Sequence, residues 1–75
     1  MEASEAFGKA LRERRKACSL SQEKLALEAD LERVYVSLLE NGHKQPTFQT
    51  ILKLARALNC TASDLVATAE KLMAS

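Results

Sequence analysis

Apolar residues recur at helical spacing in five stretches of this chain, separated by short polar breaks. From about Ser4 to Ala17, the positions Phe7, Ala10, Leu11, Ala17 and Cys18 form one stripe. Arg14 interrupts it, so that side chain must snorkel or lie at the stripe's edge. Gly8, inside the same stretch, costs about 1 kcal/mol relative to alanine and reads either as a close helix approach or as simple tolerance. Gln22 to Ala29 sets Leu25, Ala26 and Ala29 on one face, behind Ser21, whose hydroxyl can accept an orphan backbone N–H. Asp30 stands where the chain must turn, and Asp tolerates the left-handed conformation. Glu32 to Glu40 then turns Val36 and Leu39 inward, with Leu31 just ahead, and stops at Asn41 and Gly42, residues suited to a helix C-terminus.

A polar loop follows from His43 to Pro46, whose proline keeps Gln45 extended. Thr47 caps a fourth helix, Phe48 to Leu58, with Phe48, Ile51, Leu52, Leu54, Ala55 and Leu58 expected to face the core and Asn59 to close it. Thr61 to Asp64 is a capping box with Asp in place of the usual Glu, and it opens a fifth helix from about Ala62 to Met73. Leu65 and Val66 complete the core. Beyond them Ala69, Leu72 and Met73 continue the stripe further than five short helices need, so Val66, Ala69, Leu72 and Met73 are expected at a subunit interface, the other reading being a frayed tail.

Three aromatic residues, two glycines and one proline leave little punctuation for strands, so the expected class is all-α, a single domain over residues 1–75. At this length folding buries only about 60% of the surface of the unfolded chain, and a partner subunit would help. Eleven Lys plus Arg stand against ten Asp plus Glu, a net charge of +1, so charge distribution matters more than the total. Arg12, Arg14, Arg15 and Lys16 share one stretch, which for Arg12 and Lys16 reads equally well as a solvated helix face. Glu23, Glu28, Asp30 and Glu32 crowd the second helix and the turn. No apolar run approaches the roughly 18 residues of a membrane span, and Met1 to Ala10 lacks the regions of a signal peptide, so a cytoplasmic protein is expected. Cys18 and Cys60 are too few and too far apart for a four-ligand zinc site or a redox CxxC pair. His43 has no second ligand near it. With no Cys-His or Ser-His pairing and no phosphate loop, neither a metal, a cofactor nor an enzymatic activity is expected.

The five-helix order, the SQEKLA start at Ser21, the LLENG end at Gly42 and the segment PTFQTILKLARAL from Pro46 to Leu58 together resemble the Cro/CI-type (XRE) helix-turn-helix family, over about Phe7 to Val66. Within it, ERVYVS from Glu32 to Ser37 is similar to the recognition helix of restriction-modification controller proteins. The resemblance implies a compact five-helix fold of the lambda-repressor kind, with helices two and three as the helix-turn-helix. It implies a transcriptional regulator that binds double-stranded DNA as a homodimer, on a roughly palindromic operator with half-sites about 34 Å apart. RNA polymerase is a further candidate partner. Weak non-specific binding and a need for avidity follow from the near-neutral charge.

The same resemblance places the roles. Arg33, Val34, Ser37 and Leu38 would contact bases. The fork of Arg33 suits guanine O6 and N7, a contact that discriminates by about 1 to 3 kcal/mol, and Val34 suits the thymine methyl. Gln22, Tyr35, Asn41, Lys44 and Thr47 would contact phosphates, with Gln45 a weaker candidate and packing the alternative for Tyr35. Arg15 and Glu40 match a buried pair tying helix one to the end of helix three, against a surface pair of about 0 to 1 kcal/mol. The pattern is broken at Ser19 and Asp30, where the family has glycine. It is broken again at Glu32, either an acceptor for cytosine N4 or a charge that repels wrong sites. Leu38 reads a thymine methyl or a protein surface. The latter keeps open a second class of function, an interaction module such as a toxin-binding antitoxin with a weakened DNA face.

Overall fold

Five helices and no strand make up the computed structural model, which describes residues 1–75: α1 (Ala3–Ala17), α2 (Gln22–Ala29), α3 (Arg33–Glu40), α4 (Phe48–Ala57) and α5 (Ala62–Ala74). The starts of α2, α4 and α5 are set by local side-chain hydrogen bonds, whereas Glu32 makes none at the start of α3. Ser21 Oγ accepts from the Lys24 N–H at 3.0 Å and Thr47 Oγ1 from the Thr50 N–H at 3.1 Å. At α5 the bonds are reciprocal, Thr61 Oγ1 accepting from the Asp64 N–H and Asp64 Oδ2 from the Thr61 N–H. The bond from the Thr61 N–H holds the Asp64 carboxyl below its ordinary pKa, because it favours the charged form.

The first four helices end alike. After each, one residue turns to positive φ, namely Ser19, Asp30, Gly42 and Asn59, and the next N–H reaches back across the last turn. Thus Leu20 donates to the Arg15 carbonyl, Leu31 to Ala26, His43 to Leu38 and Cys60 to Ala55. Ser19 and Asp30 adopt the left-handed conformation without being glycine, as expected for Asp30.

The core is built from Ala6, Phe7, Ala10, Leu11, Leu25, Ala26, Ala29, Val36, Leu39, Leu54, Leu58, Leu65 and Ala69. α1 runs through its middle, packed most extensively on α5 and also on α3, while α2 bridges α3 and α4. Gly8 marks the closest approach. A Cβ there would lie 2.7 Å from the Glu40 carbonyl oxygen and closer still to that of Leu39, so only glycine lets α1 lie against the end of α3.

Three expected core faces are rotated. On α1, Ala17 and Cys18 are exposed, and Ala6 and Arg15 are buried instead, while Arg14 lies half-buried at the edge. On α4 the inward positions are Thr50, Leu54, Ala55 and Leu58 with Ile51 half-buried, whereas Phe48 is 73% exposed and Leu52 also stands out. Phe48 and Leu52 are one turn apart on the flank, and apolar character alone does not separate flank from face. On α5, Val66 is exposed rather than in the core. Ala69, expected at an interface, is turned into the chain's own core at 7% exposure.

Candidate nucleic-acid interface

α3 divides cleanly along its axis. Val36, Leu39 and Glu40 point inward, and Tyr35 packs its ring against the core. Arg33 and Val34 are exposed, Val34 at 64%, with Ser37 and Leu38 half-exposed on the same side. Arg33 makes no ion pair, the three in the chain involving other residues, so its guanidinium is free to meet an acceptor pair. Ser37 is held by Asn41, whose Nδ2 donates to the Ser37 carbonyl at 3.0 Å and to its Oγ at 3.4 Å. With its oxygen already accepting, the Ser37 hydroxyl has its proton left to donate, which suits a phosphate oxygen or a purine acceptor. Glu32 precedes the helix without capping it and stays exposed.

Behind this face lies a charged cluster. Glu40, buried at the end of α3, accepts from Arg15 Nε at 2.6 Å through Oε2 and from Arg15 Nη2 at 3.0 Å through Oε1. Arg15 also donates through Nη1 to the Leu20 carbonyl at 2.8 Å, fixing the turn before α2. The bidentate bond to Glu40 raises the Arg15 pKa further above its already high ordinary value. Gln22, from the first turn of α2, donates Nε2 to Glu40 Oε1 at 3.0 Å. One carboxylate therefore joins α1, α2 and the end of α3. No buried side-chain polar atom in the chain lacks a partner.

The expected phosphate-contacting residues fall into different situations. Lys44 is exposed on the loop between α3 and α4 and makes no ion pair. Gln22 is half-buried with one amide N–H given to Glu40 and the other left over. Asn41 turns its amide back onto its own helix. The Thr47 hydroxyl is engaged with Thr50, both at its backbone N–H and at its Oγ1 3.0 Å away, so any anion there would be met by backbone N–H groups at the start of α4. Tyr35 is the least free of the set, being packed on the core.

The helix-turn-helix family model matches residues 11–65, from the middle of α1 to the first turns of α5. The chain belongs to the helix-turn-helix family. Its α2 and α3 are that motif. Among relatives of this helix-turn-helix chain, the control protein C.BamHI of Bacillus amyloliquefaciens is 41% identical over 61 residues, covering 80% of this chain and 75% of that protein. The crystal structure of the restriction-modification controller protein C.AhdI from Aeromonas hydrophila superposes with a TM-score of 0.81 at 44% identity, over 83% of this chain and 94% of the other. The C.Esp1396I controller, solved as a tetramer with its 35 base-pair operator, shares the fold, with a TM-score of 0.90 at 17% identity over 100% of this chain and 99% of that one.

Away from the motif, the structure exposes large apolar side chains that sequence spacing had assigned partly to the core. They are Phe48 and Leu52 from α4 and Val66 and Met73 from α5. Val66 and Met73 border a groove of about 220 Å³ that Phe7, Ile51 and Ala69 also line. Leu72 is half-buried against the core, which limits its part in any contact with another chain. Leu27, also missed, stands 72% exposed on α2. The thiols are structural neighbours of the fold: Cys18 Sγ donates to the Leu58 carbonyl at 3.5 Å, and burial pushes the Cys60 thiol up.

Proposed function

We propose that this chain is a sequence-specific DNA-binding transcriptional regulator of the restriction-modification controller type, acting as a homodimer on a roughly palindromic operator. The observation that carries the reading is the split of α3 into an inward side fixed by Val36, Leu39 and Glu40 and an outward side with Arg33 unpaired. Arg33 reads guanine, Val34 and Leu38 meet thymine methyl groups, and Ser37 donates its hydroxyl to a base or phosphate. Gln22 and Lys44 hold the flanking backbone, with backbone N–H groups at Thr47 and the start of α4. A net charge of +1 makes one copy a weak binder, so two are needed.

The dimer contact in this reading is centred on Phe48, Leu52, Val66 and Met73, with Ala69 only on the groove floor. The C.BamHI and C.AhdI relatives, named as controllers, support the class, and the C.Esp1396I tetramer on its operator supports assembly on DNA within this fold. No helix of the chain is long and apolar enough to cross a membrane. We place the protein in the cytoplasm with the DNA it reads, and as a binding protein rather than an enzyme. At an operator beside a promoter, RNA polymerase is the second partner, and the exposed Leu27 of α2 is surface left for it once α3 lies in the groove.

Selection of bound duplexes from random DNA tests the reading. A palindromic consensus is expected, and Arg33→Ala should cost specific binding about 1 to 3 kcal/mol per half-site while leaving binding to random duplex nearly unchanged. Equal loss on both would remove Arg33 from base reading. No enrichment at all would favour the protein-interaction module.

A further inference from the structure

Glu40 gathers more positive charge than it can neutralise. Its side chain is 1% exposed and already carries the bidentate bond from Arg15. Yet Arg12, one turn earlier on α1, brings its Nε to 3.7 Å from the same Oε1 that Arg15 Nη2 and Gln22 Nε2 reach at 3.0 Å. Two guanidinium groups and one carboxylate leave a surplus of one positive charge. The surplus sits on Arg12, because each nitrogen of Arg15 makes a bond, Nε and Nη2 to Glu40 and Nη1 to the Leu20 carbonyl, and its side chain is only 10% exposed, whereas that of Arg12 is 53% exposed. Only its Nε approaches the carboxylate, so its two Nη groups have no protein partner. Arg12 therefore lies within ion-pair reach of Glu40 at one edge and is open at the other, within 4 Å of an oxygen that also orients Gln22.

We propose that Arg12 is a phosphate-binding residue of the DNA interface, paired with Gln22 on one phosphodiester, and that Glu40 is the positioning residue that aims both. This rests on the DNA-binding reading given above and extends it to α1, outside the motif itself. Long arginines on a surface are usually mobile, and the attraction of the nearby carboxylate biases this one toward the site, lowering part of the ordering that binding would otherwise require. The same carboxylate fixes which end of the Gln22 amide faces the protein, so its second N–H points away from Glu40. The contact is blind to sequence, since a phosphodiester is the same at every base pair.

The signature is electrostatic. Each phosphate contact made by a cation releases condensed counterions and adds about 0.9 to the slope of log affinity against log salt, roughly a fivefold gain in affinity at 0.15 M salt. The probes are a duplex recovered by the wild-type protein from random DNA and a scrambled duplex of the same length, titrated by fluorescence anisotropy between about 50 and 200 mM KCl. Arg12→Gln should lower the slope by about 0.9 per protomer on both duplexes and leave the ratio between them unchanged. Arg12→Lys should restore most of the slope, because the charge is kept. A merely structural Arg12 would instead lower affinity equally at all salt concentrations, and an unaltered slope in Arg12→Gln overturns the proposal while leaving the DNA reading intact. Wild-type protein that binds neither duplex in a salt-dependent way overturns both. Thermal melts of the two variants accompany the titrations, and both are expected to melt close to the wild type, since Arg12 is half-exposed, lies 3.7 Å from the carboxylate and leaves Glu40 still paired with Arg15.

Discussion

Replacing Glu40 by glutamine should bring this domain close to unfolding, although the two side chains have nearly the same shape. Glutamine keeps one acceptor oxygen and turns the other into an amide that faces the Arg15 donors, so at least one charge-assisted bond is lost and a guanidinium is left without its counter-charge. The Arg15 side chain is only 10% exposed, so water cannot easily take the place of the carboxylate. Removing one partner of such a pair costs about 3 to 5 kcal/mol. A chain of this length holds on the order of 4 to 11 kcal/mol in total, so the loss is a large share of it. With about 4 to 8 °C lost per kcal/mol, the melting midpoint should fall by roughly 12 °C or more. Urea unfolding followed by circular dichroism measures the loss directly. Arg15→Met combined with Glu40→Leu is the complementary variant: with both charges gone, stability should return to near the wild-type value. A loss below about 1 kcal/mol in Glu40→Gln would show that the pair behaves as a surface ion pair and would refute the reasoning.

Gly8→Ala should destabilise by about 1 to 3 kcal/mol despite the better helix propensity of alanine, because the new methyl meets the Leu39 and Glu40 carbonyl oxygens; a more stable variant in the same urea titration would mean that α1 can move off α3. Asp64→Asn tests the α5 cap through pH. The folded carboxyl titrates below its unfolded value, so its contribution is present above the ordinary carboxylate range and disappears as pH falls through the folded pKa. The difference in melting temperature between wild type and Asp64→Asn should accordingly be open at neutral pH and close on acidification, and a difference that persists in strong acid would remove the cap as its cause. Phe48→Ser with Leu52→Ser should give a folded monomer in sedimentation velocity, since both side chains are exposed in the single chain; a persistent dimer would place the contact elsewhere.

Helix number and order were legible because each helix carries its own punctuation. Ser21, Thr47 and the Thr61–Asp64 pair act locally, and the residues after each helix end can adopt positive φ by themselves. Rotation of the helices was less legible. Phe48 and Leu52 have the chemistry of core residues, yet the threonine at position 50 is the one turned inward, its hydroxyl satisfied by Thr47. A polar residue with a local partner can be buried, and an apolar one on a flank cannot be told from one on a face. The role of Gly8 was undecided for a similar reason: its cause lies on α3, more than thirty residues away. The exposure of Arg33 and Val34 follows from helical spacing, their roles having come from the resemblance, but the engagement of Gln22, Asn41 and Thr47 with neighbours depends on which of several polar groups lies within reach, and only coordinates show that.

The arrangement around Glu40 has a consequence for how such a protein can change its target. The recognition helix is gripped from within by the buried Val36, Leu39 and Glu40, while Arg33 and Val34 stand exposed and Ser37 and Leu38 half-exposed. Grip and vocabulary are therefore carried by different letters of the same eight-residue helix. With the base-reading roles proposed above, the four outward residues can be rewritten without disturbing the angle at which α3 is presented, and a new operator can be acquired one base pair at a time by a scaffold that never has to be rebuilt.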